Sequence, residues 1–176
     1  MSGDHDHNLL ASSTGNLVTV WDPFTQQSRW SVTHQAPVHC VKWNHTNQVV
    51  GAAGDDGLIS LYHHSSGHSV GRIPETPDAI AQQPSIHSIA FSKGSRYLAT
   101  GGEGTEVLIW DLKRKVKVKS LLGHSEAVRA VTYSNGDQHI ASGADSGVIM
   151  LHAQLSGMCA GILLGVFPWL YCRTCG

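Results

Sequence analysis

Histidine, serine and acidic residues recur in this chain in sets that could move protons. His124, Ser142 and Asp145 form the fullest set; Thr100 with Glu103, and His34 with Asp55, repeat parts of it. A hydrolytic triad needs a serine presented on a sharp strand-to-helix turn, a histidine in reach and an acid that orients it. Ser142 lies in Ile140-Ala141-Ser142-Gly143, which offers no such turn. The sets instead keep step with a second series, Trp21, Tyr62, Trp110 and His152, whose intervals are 41, 48 and 42 residues. Groups that return at one interval belong to a repeated structural unit. In such a unit a histidine entering the first strand, a hydroxyl on the second, an acid in the hairpin and a tryptophan on the third can join in one hydrogen-bonded chain. That network stabilises a unit only when every member is satisfied. No unit is complete here. His152 takes the tryptophan's place in the fourth, the third has Glu103 for the acid and no histidine, and Ala52 and Tyr62 interrupt the second. Apolar packing is therefore expected to hold the units, and the chain is expected to be non-enzymatic and free of cofactors.

The metal-binding residue types point the same way. His5/His7 and His63/His64 are pairs without a second pair at zinc spacing. Cys172-Arg173-Thr174-Cys175 is a Cys-x-x-Cys, yet only Cys40 and Cys159 remain to partner it, and no helix follows it as a redox motif requires. No metal is expected. Twelve Lys+Arg against 13 Asp+Glu give a formal charge of −1, which supplies no general attraction to nucleic acid. Residues 1–8 are polar where a secretion signal would be apolar, so a reducing, cytoplasmic setting without disulfides is expected. The uncharged run 158–171 is too short to span a bilayer as a helix and is broken by Gly161, Gly165 and Pro168.

The elements that must position these residues are short strands. Two of the four repeats end in Trp-Asp, at Trp21-Asp22 and Trp110-Asp111. A period of 40 to 45 residues closing on Trp-Asp is that of a four-stranded propeller blade, which buries its two faces only by stacking on neighbours. The expectation is an all-β, incomplete β-propeller of about four blades, at residues 9–34, 35–74, 84–122 and 123–165. Asp55-Asp56-Gly57 and Asp145-Ser146-Gly147 supply tight hairpin turns. The long interval is explained by a Pro-rich loop, residues 74–84. Residues 1–8 are expected to be disordered, and 166–176 to be a non-propeller tail of aberrant origin. Arg114, Lys115, Lys117 and Lys119 form a basic strip after the third Trp-Asp. Strand alternation would set the three lysines on one face and Val116 and Val118 on the other. This strip, the 74–84 loop and the exposed hairpin acids Asp55 and Asp56 are the candidate partner surfaces. An unclosed propeller would also expose two stacking faces and favour self-association.

Particular stretches carry a narrower likeness. Val41-Lys42-Trp43-Asn44-His45-Thr46-Asn47-Gln48-Val49-Val50, Phe91-Ser92-Lys93-Gly94-Ser95-Arg96-Tyr97 and residues 107–113 resemble the NEDD-type WD-repeat family in its plant-like form. Residues 130–133 and 140–143 resemble that family's fourth blade. The resemblance implies a propeller that targets the γ-tubulin ring complex to microtubule-organising sites: spindle poles, centrosomes or phragmoplast microtubules. A separate helical region of that family grips the complex, and this chain carries none of it. A substrate receptor of a ubiquitin ligase is the alternative. Such receptors often carry Arg two residues after Trp-Asp, where this chain has Leu112-Lys113 and Thr25.

Overall fold

Alternation of apolar residues in runs of five to seven, punctuated by Gly, Asn, Asp and Ser, produces strands throughout the computed structural model. The structure describes residues 9–74, 84–154, 156–164 and 172–173. The first sheet contains β1 (Leu10–Thr14), β2 (Leu17–Asp22) and β3 (Gln27–Thr33). The second contains β4 (Val38–Trp43), β5 (Val49–Gly54), β6 (Ile59–His63) and β7 (Ser69–Ile73). The third is β8 (Ile86–Phe91), β9 (Tyr97–Gly102), β10 (Val107–Asp111) and β11 (Val116–Leu121). The fourth is β12 (Val128–Tyr133), β13 (His139–Ala144), β14 (Val148–Ala153), β15 (Cys159–Leu164) and the two-residue β16 (Cys172–Arg173). Every pairing is an antiparallel neighbour pairing, so each sheet is a meander. The expected tail is thus partly a strand, since Arg173 and Cys172 pair with Ile162 and Leu163. The rest of 166–176, residues 1–8 and residues 75–83 of the Pro-rich loop lie outside the described residues, as do the His5/His7 pair and Cys175.

Side chains of the middle strands divide between two neighbours because successive residues of a strand point to opposite faces. Ala52 and Tyr62 join Val18, Val20, Val38 and Val50 in the core between the first and second sheets. The adjacent Ala53 and Leu61 face the other way, into the core with Ile86, Ile89, Phe91, Leu98 and Trp110. Ala99 and Ile109, next to Leu98 and Trp110, belong to a third core with Val107, Leu121, Val128, Val131 and Ile140. Three cores between four sheets make a consecutive stack. The two Trp-Asp copies differ for this reason. Trp110 is 3% exposed between sheets, whereas Trp21 faces the side of the first sheet away from the second and is 41% exposed.

The hairpin glycines are local necessities. Gly57 and Gly147 sit at φ +66° and +75°, and their N–H groups close back on Gly54 and Ala144 at 3.1 and 3.0 Å. The aspartate of each Trp-Asp closes the turn that follows. Asp111 Oδ1 accepts from the Lys113 and Arg114 N–H groups at 3.0 and 2.9 Å, and Asp22 Oδ1 accepts from Phe24 and Thr25 at 2.9 and 3.2 Å. Those backbone donors, Arg114 and Thr25 first, hold both carboxyls below the ordinary aspartate range.

Candidate functional site: a charged ladder across three blades

The polar groups expected to form one chain per blade are split by the fold into two separate systems. Inside the blades, each unit keeps a pair. Tyr62 OH meets His34 Nε2 at 3.0 Å, so the phenol reaches the histidine directly and bypasses Ala52. Trp110 Nε1 donates to Thr100 Oγ1 at 3.1 Å, Trp21 Nε1 donates to Ser12 Oγ at 2.9 Å, and His124 Nε2 lies 2.8 Å from Ser142 Oγ. Burial lowers the pKa of His34 and His124 and raises that of Tyr62, so all three are held neutral. His152 is fully buried and neither of its ring nitrogens has a hydrogen-bond partner. Burial, with His124 nearby, lowers its pKa too. Ser142 and His124 are 2% and 8% exposed, so the pair is buried within the fourth blade.

The hairpin acids do not join these pairs. Asp55, Glu103 and Asp145 turn to the entry of the inner strands, where each backbone N–H bonds the carbonyl of Pro37, Ser85 or Ala127 at 2.9 to 3.0 Å. Gly54 and Gly102 permit this approach; a Cβ there would stand 1.8 Å from the Pro37 oxygen and 1.9 Å from the Ser85 oxygen. The side chains then meet His39, His87 and Arg129. His39 Nε2 is 2.6 Å from Asp55 Oδ1, which also accepts from Ser85 Oγ at 2.7 Å. His87 Nε2 is 2.7 Å from Glu103 Oε1, and Arg129 grips both oxygens of Asp145 while reaching Glu103 at 3.3 Å. The His39 and His87 rings lie 5.3 Å apart, joining the second blade to the third. The result is a continuous ladder, Asp55–His39–His87–Glu103–Arg129–Asp145, running over three blades at one end of the stack.

Local backbone geometry aims these side chains. The pairing register slips at Val38/Cys40, Ile86/Ser88 and Val128/Ala130. His39, His87 and Arg129 are thus the extra residues of three β-bulges, and a bulge re-aims its side chain out of the sheet. Hydrogen bonds keep the acids ionised: Ser85 first lowers Asp55, His87 first lowers Glu103, and Arg129 first lowers Asp145. Asp145 in turn raises the Arg129 pKa. Asp55, Glu103, Arg129 and Asp145 remain about half exposed, so a partner can reach these four groups, while the His87 side chain is largely covered. His39, His87 and Arg129 were absent from the expected site. The available signal was their spacing, 48 and 42 residues, which repeats that of the aromatic series.

The basic strip is not one surface. Outer-strand bulges at Val20/Trp21, Leu61/Tyr62, Ile109/Trp110 and Leu151/His152 break the alternation. Val118 is the extra residue in the third blade, so it and Val116 are both exposed, contrary to the expected two-faced strand. Lys115 lies against Gly71 of the preceding blade, while Lys119 Nζ donates to the Gln154 carbonyl of the following one at 3.0 Å. Of the four strip residues, Arg114 and Lys117 are exposed and Lys115 and Lys119 are half-buried. The His63 and His64 rings lie 4.6 Å apart, but among the described residues no three ligating side chains come together. Cys40 and Cys159 are thiols on separate sheets.

Antiparallel meanders stacked in sequence, with Trp21, Tyr62, Trp110 and His152 recurring one per sheet, define a β-propeller built of repeats. The model of the WD domain, G-beta repeat, matches residues 26–63, 79–111 and 115–152, and the chain belongs to this WD-repeat family. It is 31% identical to human Protein NEDD1 over 83% of this chain and 22% of that one. It is 28% identical to pre-mRNA-processing factor 19 homolog 2 of Arabidopsis thaliana, over 83% and 28% of the two chains. WD repeat-containing protein slp1 of Schizosaccharomyces pombe is 28% identical over 73% and 25%. The chain spans about a quarter of the length of these relatives. A chain in a crystal structure of the mitotic checkpoint complex superposes with a TM-score of 0.79 at 23% identity, covering 91% of this chain and 50% of that one, which shows the shared fold.

Proposed function

We propose that this chain is a non-enzymatic docking scaffold, part of the targeting half of a factor that brings the γ-tubulin ring complex to microtubule-organising sites, without the helical region that grips the complex. The observation that carries the scaffold reading is the ladder of mutually paired side chains over three blades, whose acids and Arg129 are about half exposed. An array of exposed charges at fixed spacing selects a partner by charge register and speeds its encounter. The microtubule assignment rests on the likeness to human NEDD1 and on the Lys42-Trp43-Asn44-His45-Thr46-Asn47 block. The cellular setting that follows is the spindle pole, the centrosome or, in a plant cell, the phragmoplast. Exposed apolar residues on the outer side of the first sheet, Trp21 above all, favour self-association or stacking of a further sheet.

The test is Arg129→Glu in the full chain, expressed in dividing cells. The charge reversal sets a third acid beside Glu103 and Asp145 and breaks the ladder at its Arg129 end, at an exposed position outside the cores. Loss of spindle-pole signal is the expected result. Unchanged recruitment removes the ladder as the docking site. Co-purification with ubiquitin-ligase scaffolds instead of γ-tubulin establishes the alternative reading.

A further inference from the structure

The inner strands carry a second periodic set at their opposite ends. Trp43, Phe91 and Tyr133 close β4, β8 and β12, again 48 and 42 residues apart. Four residues of strand separate them from His39, His87 and Arg129, roughly 13 Å at about 3.3 Å per residue. The aromatic residues line a groove of about 440 Å³ spanning three blades, together with Lys42, His45 and Lys93. No carboxylate lines it. The nearest acid of the neighbouring turn, Asp137, has both oxygens on the Lys93 N–H, at 2.9 and 2.8 Å. Among the described residues neither Lys42 nor Lys93 forms an ion pair, in contrast to the fully paired ladder at the other end. The Tyr133 hydroxyl is buried in the groove wall with no hydrogen-bond partner.

We infer that this groove binds an acidic peptide segment, with an apolar or aromatic side chain seated against the partly exposed Trp43 and Tyr133, over the edge of the buried Phe91, and flanking Asp or Glu carboxylates on Lys42, Lys93 and His45. Charge complementarity selects the ligand: the cations are exposed, unpaired and set around an apolar floor. A free carboxylate gains the attraction there without displacing an internal partner, and flat aromatic side chains present stacking surface at low entropic cost. The volume lies in the range of peptide side-chain and small-ligand sites. The site is independent of the charged ladder, so either can fail alone.

Fluorescence anisotropy of a labelled Glu-rich peptide with one central Phe, titrated with the full chain at low salt, tests the assignment. Binding is expected to weaken on adding salt. It is expected to fall about tenfold or more in Lys42→Glu/Lys93→Glu, with wild-type circular dichroism because both lysines are exposed. Lys113→Glu, on an exposed turn elsewhere, should bind as wild type. Equal binding of the Gln-for-Glu peptide, or of the double variant, overturns the inference. Tighter binding of single-stranded nucleic acid than of the peptide overturns it as well, because the groove would then be selecting phosphate and bases.

Discussion

His152→Leu should make the protein more stable and less sensitive to mild acid. The side chain is 0% exposed and both ring nitrogens lack hydrogen-bond partners. Leaving a buried polar group unsatisfied costs about 1–3 kcal/mol, and leucine fills a similar space without polar atoms. For a chain of this length each kcal/mol moves Tm by about 2–4 °C, so a rise of about 2–12 °C is expected near neutral pH. The acid effect has a definite sign. Burial holds the folded pKa of His152 below its ordinary 6.5, so the unfolded chain takes up its proton first as pH falls. Stability is therefore full above about pH 6.5 and drains away as pH drops toward the folded value. Urea unfolding followed by circular dichroism, at about pH 7.5 and about pH 5.5, reads both effects. The variant should lose less stability between the two conditions. A residual loss should persist because burial lowers His34 and His124 as well. An identical pH loss in wild type and variant, or a less stable variant at neutral pH, would refute the reasoning.

The two Trp-Asp copies should respond unequally: Trp110→Ala should cost about 3–5 kcal/mol as a core truncation, and Trp21→Ala markedly less, by urea unfolding. Trp110→Phe should cost about 1–3 kcal/mol by orphaning the Thr100 hydroxyl, and adding Thr100→Val should recover part of it in a double-mutant cycle. Gly102→Ala should lose about 1–3 kcal/mol and detach the Glu103 hairpin, visible as faster amide exchange at Glu103, whose N–H bonds the Ser85 carbonyl. Asp111→Ala should strip two turn N–H groups of their acceptor and lower the urea midpoint. Because those donors depress the Asp111 pKa, its contribution is present above about pH 3.8 and vanishes as pH falls further, so wild type and variant should converge in strong acid.

Periodicity alone was enough to find the blades. An aromatic residue returning after about forty residues, with Gly-containing acidic turns between β-branched runs, fixes strand, hairpin and stack, because a sheet with two apolar faces has no other way to bury them. The pairs His124–Ser142 and Thr100–Trp110 were legible for the same reason. Tertiary structure decided the rest. Asp55 and Asp145 read from sequence as members of the internal networks, yet Gly54 and the backbone bond to Pro37 swing Asp55 outward to His39, and Arg129 captures Asp145. The basic strip read as one face until a bulge at Val118 divided its lysines between neighbouring blades. Both the ladder and the aromatic groove assemble residues 42 to 48 positions apart. A single residue of register determines where such side chains point, and register is set by bulges and by the packing of one sheet on the next, which no local run of residues encodes.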